Sequence, residues 1–174
     1  MKQELDLYIK NNLEKNNIFK NIFKQKRNSK IVEDRCISYE ESTCMGSNNE
    51  INVHNFININ KDDNNFQKLL FNFIDSKGLK DSDVYNKVHI DRRLFSKIRS
   101  DSNYHPSKET ILLLGFSLEL SEDEIDSLLG SASYTLTKNN YYDLIIRFCF
   151  INHIYNIKDI NDLLESYNCK LFSY

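Results

Sequence analysis

The stretch Asp81–Asp101, DSDVYNKVHIDRRLFSKIRSD, decides how this chain is read. Apolar residues fall at helical spacing twice: Val84, Tyr85 and Val88, then Leu94, Phe95 and Ile98. Asp81 or Ser82 is placed to cap the first run and Asp91 the second. His89 stands between them, where a turn needs a residue tolerant of positive φ; His is one of the non-glycine types enriched there. The second run carries Arg92, Arg93, Lys97 and Arg99 and no acid. The segment therefore predicts two short helices, an apolar seam between them, and a polar, cationic outer face on the second.

Helical periodicity continues on both sides. Phe66, Leu69, Leu70, Phe73 and Ile74 make one stripe, and Gly78 follows where a glycine ends a helix. Pro106-Ser107 opens a helix over Lys108–Glu119. Ser121 with Glu124 forms a capping box for the next, which is expected to end at Gly130. Two further helices are predicted, roughly over Asn139–His153 and Lys158–Tyr167. Upstream, Leu5, Tyr8, Ile9, Leu13, Ile18, Phe19, Ile22 and Phe23 outline one or two amphipathic helices whose stripe needs a partner surface. That partner is either the domain core or a second chain. Asn28–Asp63 is irregular, with one alternating piece at Ile51–Ile59 that reads as a short strand lacking a mate. The expected organisation is an amphipathic helical arm at 1–30, a linker at 31–62, a helical domain at 63–130 and a C-terminal helical extension at 131–174.

Composition supports a folded all-α chain. Of 174 residues, 40% are hydrophobic and 12% aromatic, enough for a core, while one Pro and four Gly disfavour a loop-rich β protein. Net charge is −2, whereas dedicated nucleic-acid binders are often basic. The charge is uneven: residues 1–30 hold eight cations against Glu4, Asp6 and Glu14, and residues 111–174 hold nine acids against four cations. Such polarity fits orientation on a polyanion, head-to-tail pairing of copies, or two ordinary solvated faces. Met1–Lys30 lacks the apolar segment of a signal peptide, and no run approaches the ~18 apolar residues of a membrane span. A cytoplasmic protein with reduced thiols is expected.

A helix-turn-helix demands a braced second helix with an exposed polar face, and the opening segment meets that demand. At Val84–Ile98 the chain resembles the lambda repressor/Cro-type (XRE-like) helix-turn-helix domain. Tyr85 replaces a small residue of that pattern at the helix–helix contact, and His89 replaces the turn glycine. Over Phe66 to about Leu171 the chain is also similar to a helical C-terminal module of some bacterial macro-domain proteins. The shared features are Tyr85-x-Lys87-x-x-Ile90-Asp91-Arg92, Leu94 to Asp101, Pro106-Ser107-Lys108-x-Thr110 and Leu118-Glu119-Leu120. The residues upstream show no macro-domain pattern of alternating strands and Gly-rich loops, so ADP-ribose binding is not implied. The resemblance implies a five-helix XRE-like bundle, here with a two-helix C-terminal extension and an N-terminal helical arm.

That implies a bacterial or phage transcriptional regulator binding double-stranded DNA. Arg92, Arg93, Ser96 and Lys97 are expected to make first contacts, with Arg99, Ser100 and Asn103 at the phosphate backbone. Few phosphate contacts per chain favour a dimer on a paired site. The competing expectation is a non-catalytic protein-interaction module, an accessory in a defence or toxin–antitoxin system, that holds its partner or a second copy through the N-terminal arm. Charges over 81–109 nearly cancel, which fits an ordinary surface helix equally well.

Other chemistry is weakly signalled. Cys36, Cys44 and His54 lack zinc-site spacing and a fourth ligand, so no metal is expected; the two cysteines could instead be redox-responsive thiols. His105 and Tyr104 fit either a phosphate contact or loop packing. Glu122, Asp123 and Glu124 belong to a helix start, and no nucleophile–base pair or phosphate loop is present. Neither an enzyme nor a cofactor is expected.

Overall fold

Six helix starts are set by side chains that take up the first orphan N–H groups. Asn65, Asp91, Ser107, Ser121, Asn140 and Asn156 each accept from a backbone N–H two or three residues on. At Ser121 the box is reciprocal, because Glu124 Oε2 accepts from the Ser121 N–H at 2.7 Å. The computed structural model describes residues 2–13 and 65–173, which form eight helices and no strand. These are α1 (2–13), α2 (Phe66–Ser76), α3 (Asp81–Lys87), α4 (Arg92–Ser100), α5 (Lys108–Ser117), α6 (Glu122–Ser131), α7 (Tyr141–Ile151) and α8 (Ile157–Glu165). The strand expected at 51–59, the remainder of the N-terminal arm, and Cys36, Cys44 and His54 lie outside the described residues.

Two helices are buried over most of their length: α5, apolar almost all round, and α7, apolar except for the buried, ion-paired Asp143 and Arg147. Residues Ile111 to Leu118 of α5 and its cap, and Leu144 to Phe150 of α7, are all buried. Phe116 and Phe150 stack at 4.3 Å between ring centres, nearly parallel at 5°, and Phe172 meets Phe116 edge-on. Gly115 lets Ile125 of α6 close on α5, since a Cβ there would lie 2.5 Å from Ile125 Cδ1 and 3.3 Å from Phe150 Cζ. The residues expected to form a C-terminal extension therefore share one core with the preceding helices. The tail joins it through Asn161, 9% exposed, which donates to the Phe172 carbonyl oxygen at 3.0 Å and accepts from its N–H at 2.9 Å.

Helix α1 belongs to the same core. Leu5 and Ile9 are buried, Tyr8 packs on Phe148 at 5.6 Å between ring centres, and the Tyr167 hydroxyl donates to Asp6. For the part of the arm within α1, the partner surface is the chain's own interior. Leu7 stays 61% exposed on the opposite side.

The helix ends depart from expectation at α3, α5 and α6; the helix expected to run to Glu119 stops at Ser117. Gly130 lies inside α6, and the left-handed residue that closes the helix is Ser133, φ +58°. Neither Asp81 nor Ser82 caps α3: Lys80 is the N-cap, and Asp83 accepts from its N–H at 3.4 Å. Six helices share one terminal geometry. A left-handed residue donates its N–H to the carbonyl three back, and an apolar residue after it donates five back. Gly78 and Leu79 do this for α2, as expected, but His89, Glu119, Ser133, His153 and Asn168 serve the other five.

Candidate nucleic-acid interface

Helices α3 and α4 form two short rods joined by Val88 to Asp91. His89 takes φ +54°, as its turn position demands, and Ile90 N–H donates to Tyr85 O at 2.9 Å. Asp91 Oδ1 then accepts from Arg93 N–H at 2.5 Å and starts α4. Val84, Val88, Ile90, Phe95 and Ile98 are buried, while Tyr85 and Leu94 are half-buried. Tyr85 is accommodated by leaning on Phe95, with rings 5.5 Å apart and tilted by 51°. The buried Ser117 hydroxyl donates to Val84 O at 2.6 Å and ties α3 to the core helix α5.

The outer face of α4 carries Arg92, Arg93, Ser96, Lys97 and Ser100, all exposed and contiguous by helical spacing. Among the described residues no carboxylate lies within ion-pair distance of Arg92, Arg93 or Lys97. Lys97 Nζ sits 4.5 Å above the centre of the Tyr104 ring, so Tyr104 packs the loop and steadies a cation. His105 Nε2 lies 2.9 Å from Ala132 O, which assigns it to loop packing as well. Asn103 is exposed, and its N–H donates to Asp101 Oδ1 at 3.0 Å. Asp91 and Asp101, both exposed, therefore stand at the two ends of the cationic face.

Arg99 is placed differently from the other expected contacts. Its Nη2 donates to Asp81 Oδ1 at 2.6 Å, and its guanidinium lies 4.1 Å from the centre of the Phe71 ring. Gln67 on α2 donates to the carbonyl oxygens of Ile98 and Arg99. Sequence reasoning did not single out Gln67 or Phe71, and no local pattern marks them, because their partners lie about thirty residues away.

The acids that offset the chain's cations are engaged elsewhere. Glu109 pairs with Lys170 at 2.6 Å and Glu119 with Lys87 at 2.5 Å. Glu122 and Asp126 hold Arg147, which is 9% exposed and also donates to Leu136 O. Burial works against the charged guanidinium of Arg147, but its bonds to Asp126 and Glu122 outweigh that and raise its pKa. None of these carboxylates reaches Arg92, Arg93 or Lys97.

Among the described residues, no three His, Cys, Asp or Glu side chains gather into a metal-binding group, and no helix is long and apolar enough to cross a membrane. No protein-family model, curated protein or solved structure matches the chain.

Proposed function

We propose that this chain is a DNA-binding helix-turn-helix protein of the lambda repressor/Cro type, acting as a bacterial or phage transcriptional regulator. In this reading the outer face of α4 enters the major groove of double-stranded DNA. Arg92 and Arg93 supply the forked donors that read guanine edges or clamp phosphate, and Ser96, Lys97, Ser100 and Asn103 position the helix on the backbone. The observation that supports this most is the face itself: three cations on one exposed helix side, with no carboxylate paired to them among the described residues.

Fluorescence anisotropy with the gene's own upstream DNA, at several salt concentrations, tests the proposal. Three phosphate-neutralising cations give a slope of about −2.7 in log K against log salt, a loss of roughly 40-fold between 50 and 200 mM for one chain. A dimer on a paired site is expected to double the slope. Changing Arg93 and Lys97 together to Glu should abolish binding at every salt concentration. A flat salt response, or binding unchanged in that double variant, overturns the proposal and favours a protein-interaction module.

A further inference from the structure

The C-terminal end of α4 is held by its two neighbouring helices. From α2, Gln67 Nε2 donates to Ile98 O at 3.1 Å and to Arg99 O. Both carbonyls lie in the last turn, where no intrahelical N–H remains for them. From α3, Asp81 receives the Arg99 guanidinium at 2.6 Å, while Phe71 of α2 covers that guanidinium's face. Phe71 also meets Phe95 of α4 edge-on, with ring centres 6.1 Å apart. An exposed ion pair alone fixes little. Here the pair, the ring contact and the carbonyl bonds converge on one helix end, and their partners are not neighbours in sequence.

We infer that Arg99, Gln67 and Asp81 are positioning residues that set the angle at which α4 presents Arg92, Arg93 and Lys97, and that Arg99 does not touch DNA. This rests on the DNA-binding reading above. A phosphate reaching Arg99 would have to displace a carboxylate at 2.6 Å and would then face it. Arg99 is about half exposed, but its Nη2 is engaged by Asp81 and one face of the guanidinium lies on Phe71, so its donors are already drawn toward α2 and α3.

The sign of one substitution separates the two roles. Asp81→Asn removes a unit of negative charge beside α4. If Arg99 were a phosphate contact freed from a competitor, this variant would bind a DNA duplex more tightly. The positioning role predicts that Asp81→Asn and Gln67→Ala each weaken binding by about threefold, the scale of a modest surface interaction. Arg99→Gln and Arg99→Lys should both lose a similar factor with the salt slope unchanged. Arg93→Gln, by contrast, should lower the slope by about 0.9. Tighter binding of Asp81→Asn, or a slope lowered by Arg99→Gln, overturns the inference.

If the wild-type chain binds no duplex, the DNA reading fails, and hydrogen exchange then judges the clamp alone. Asp81→Asn and Gln67→Ala should speed exchange of the last α4 amides by about threefold or more and leave α7 unchanged. Unaltered exchange in α4 overturns the clamp.

Discussion

Lys108 Nζ lies 2.6 Å from Asp143 Oδ1, and the carboxylate behind that contact is 3% exposed. Asp143 also accepts from the N–H and hydroxyl of Thr137, at 2.8 and 3.0 Å, and from Asn140 Nδ2 at 3.2 Å. The group joins α5 to the start of α7 and fixes the loop between α6 and α7. Asp143→Asn keeps the shape but leaves Lys108 without its counter-charge. Because Lys108 retains some solvent, the expected loss is about 2–3 kcal/mol, measured by urea unfolding at neutral pH.

The same carboxylate gives the fold an acid limit. Burial raises the Asp143 pKa, but the bonds from Lys108 and Thr137 outweigh it and hold the folded value below the ordinary 3.8. A depressed folded pKa contributes stability that is complete above the unfolded value and lost as pH falls through the folded one. Wild-type stability should therefore fall below about pH 4, and Asp143→Asn should flatten part of that fall. Equal acid sensitivity in the two proteins would exclude Asp143 as a source.

Leu5→Ala measures whether α1 is an arm or a wall of the core. Its side chain is fully buried, so truncation is expected to cost about 2–5 kcal/mol, like an interior leucine elsewhere. Leu7→Ala, at 61% exposure, should change stability by less than about 0.5 kcal/mol. Comparable small losses in the two variants would mean that α1 contributes little to the fold.

Ser133 is exposed and takes φ +58°, a conformation that costs a residue with a Cβ roughly 1 kcal/mol. Ser133→Gly should therefore stabilise by about 0.5–1 kcal/mol, and Gly78→Ala, at φ +63°, should destabilise by about 1 kcal/mol. Thermal melts of the two variants should shift in opposite directions.

Cys149 is fully buried in α7, and burial pushes its thiol pKa up to about 12. The thiolate is the reactive form, so Cys149 should resist alkylation at pH 8 until denaturant is added, while the half-buried Cys169 should be labelled sooner. Peptide mapping after timed labelling reads both. Early labelling of Cys149 would show that α7 opens readily.

Local signals carried most of the helix boundaries. Asp91, Ser107 and the Ser121–Glu124 box start helices where side-chain chemistry within four residues dictates it, and His89 adopts the left-handed conformation that its turn position demands. Gly130 carries a terminator's signal but lies inside α6. The actual end of α6 depends on Tyr134, whose N–H reaches Leu129 O one residue past the left-handed Ser133. The outer face of α4 was legible as a periodic pattern, and its residues are exposed together. The bracing of that face was not, because Gln67, Phe71 and Asp81 meet Arg99 only after folding. Nor does a net charge of −2 reveal that Glu109, Glu119, Glu122 and Asp126 are matched to cations other than those of α4.

Asp91 and Asp101 bracket a helix of nine residues, so their carboxylates bound a cationic strip roughly 13 Å long. A duplex is a rod with a negative charge every ~1.7 Å of its axis, and in the proposed complex its phosphates would be attracted along the strip and repelled at both ends. Sliding of such a bound duplex along α4 in either direction would raise the energy. In the DNA-bound arrangement proposed above, the two carboxylates would act as end-stops, subtracting from overall attraction while selecting one alignment of the rod against the helix. Neutralising either as Asn would lengthen the strip, strengthen indiscriminate attraction and blur that alignment.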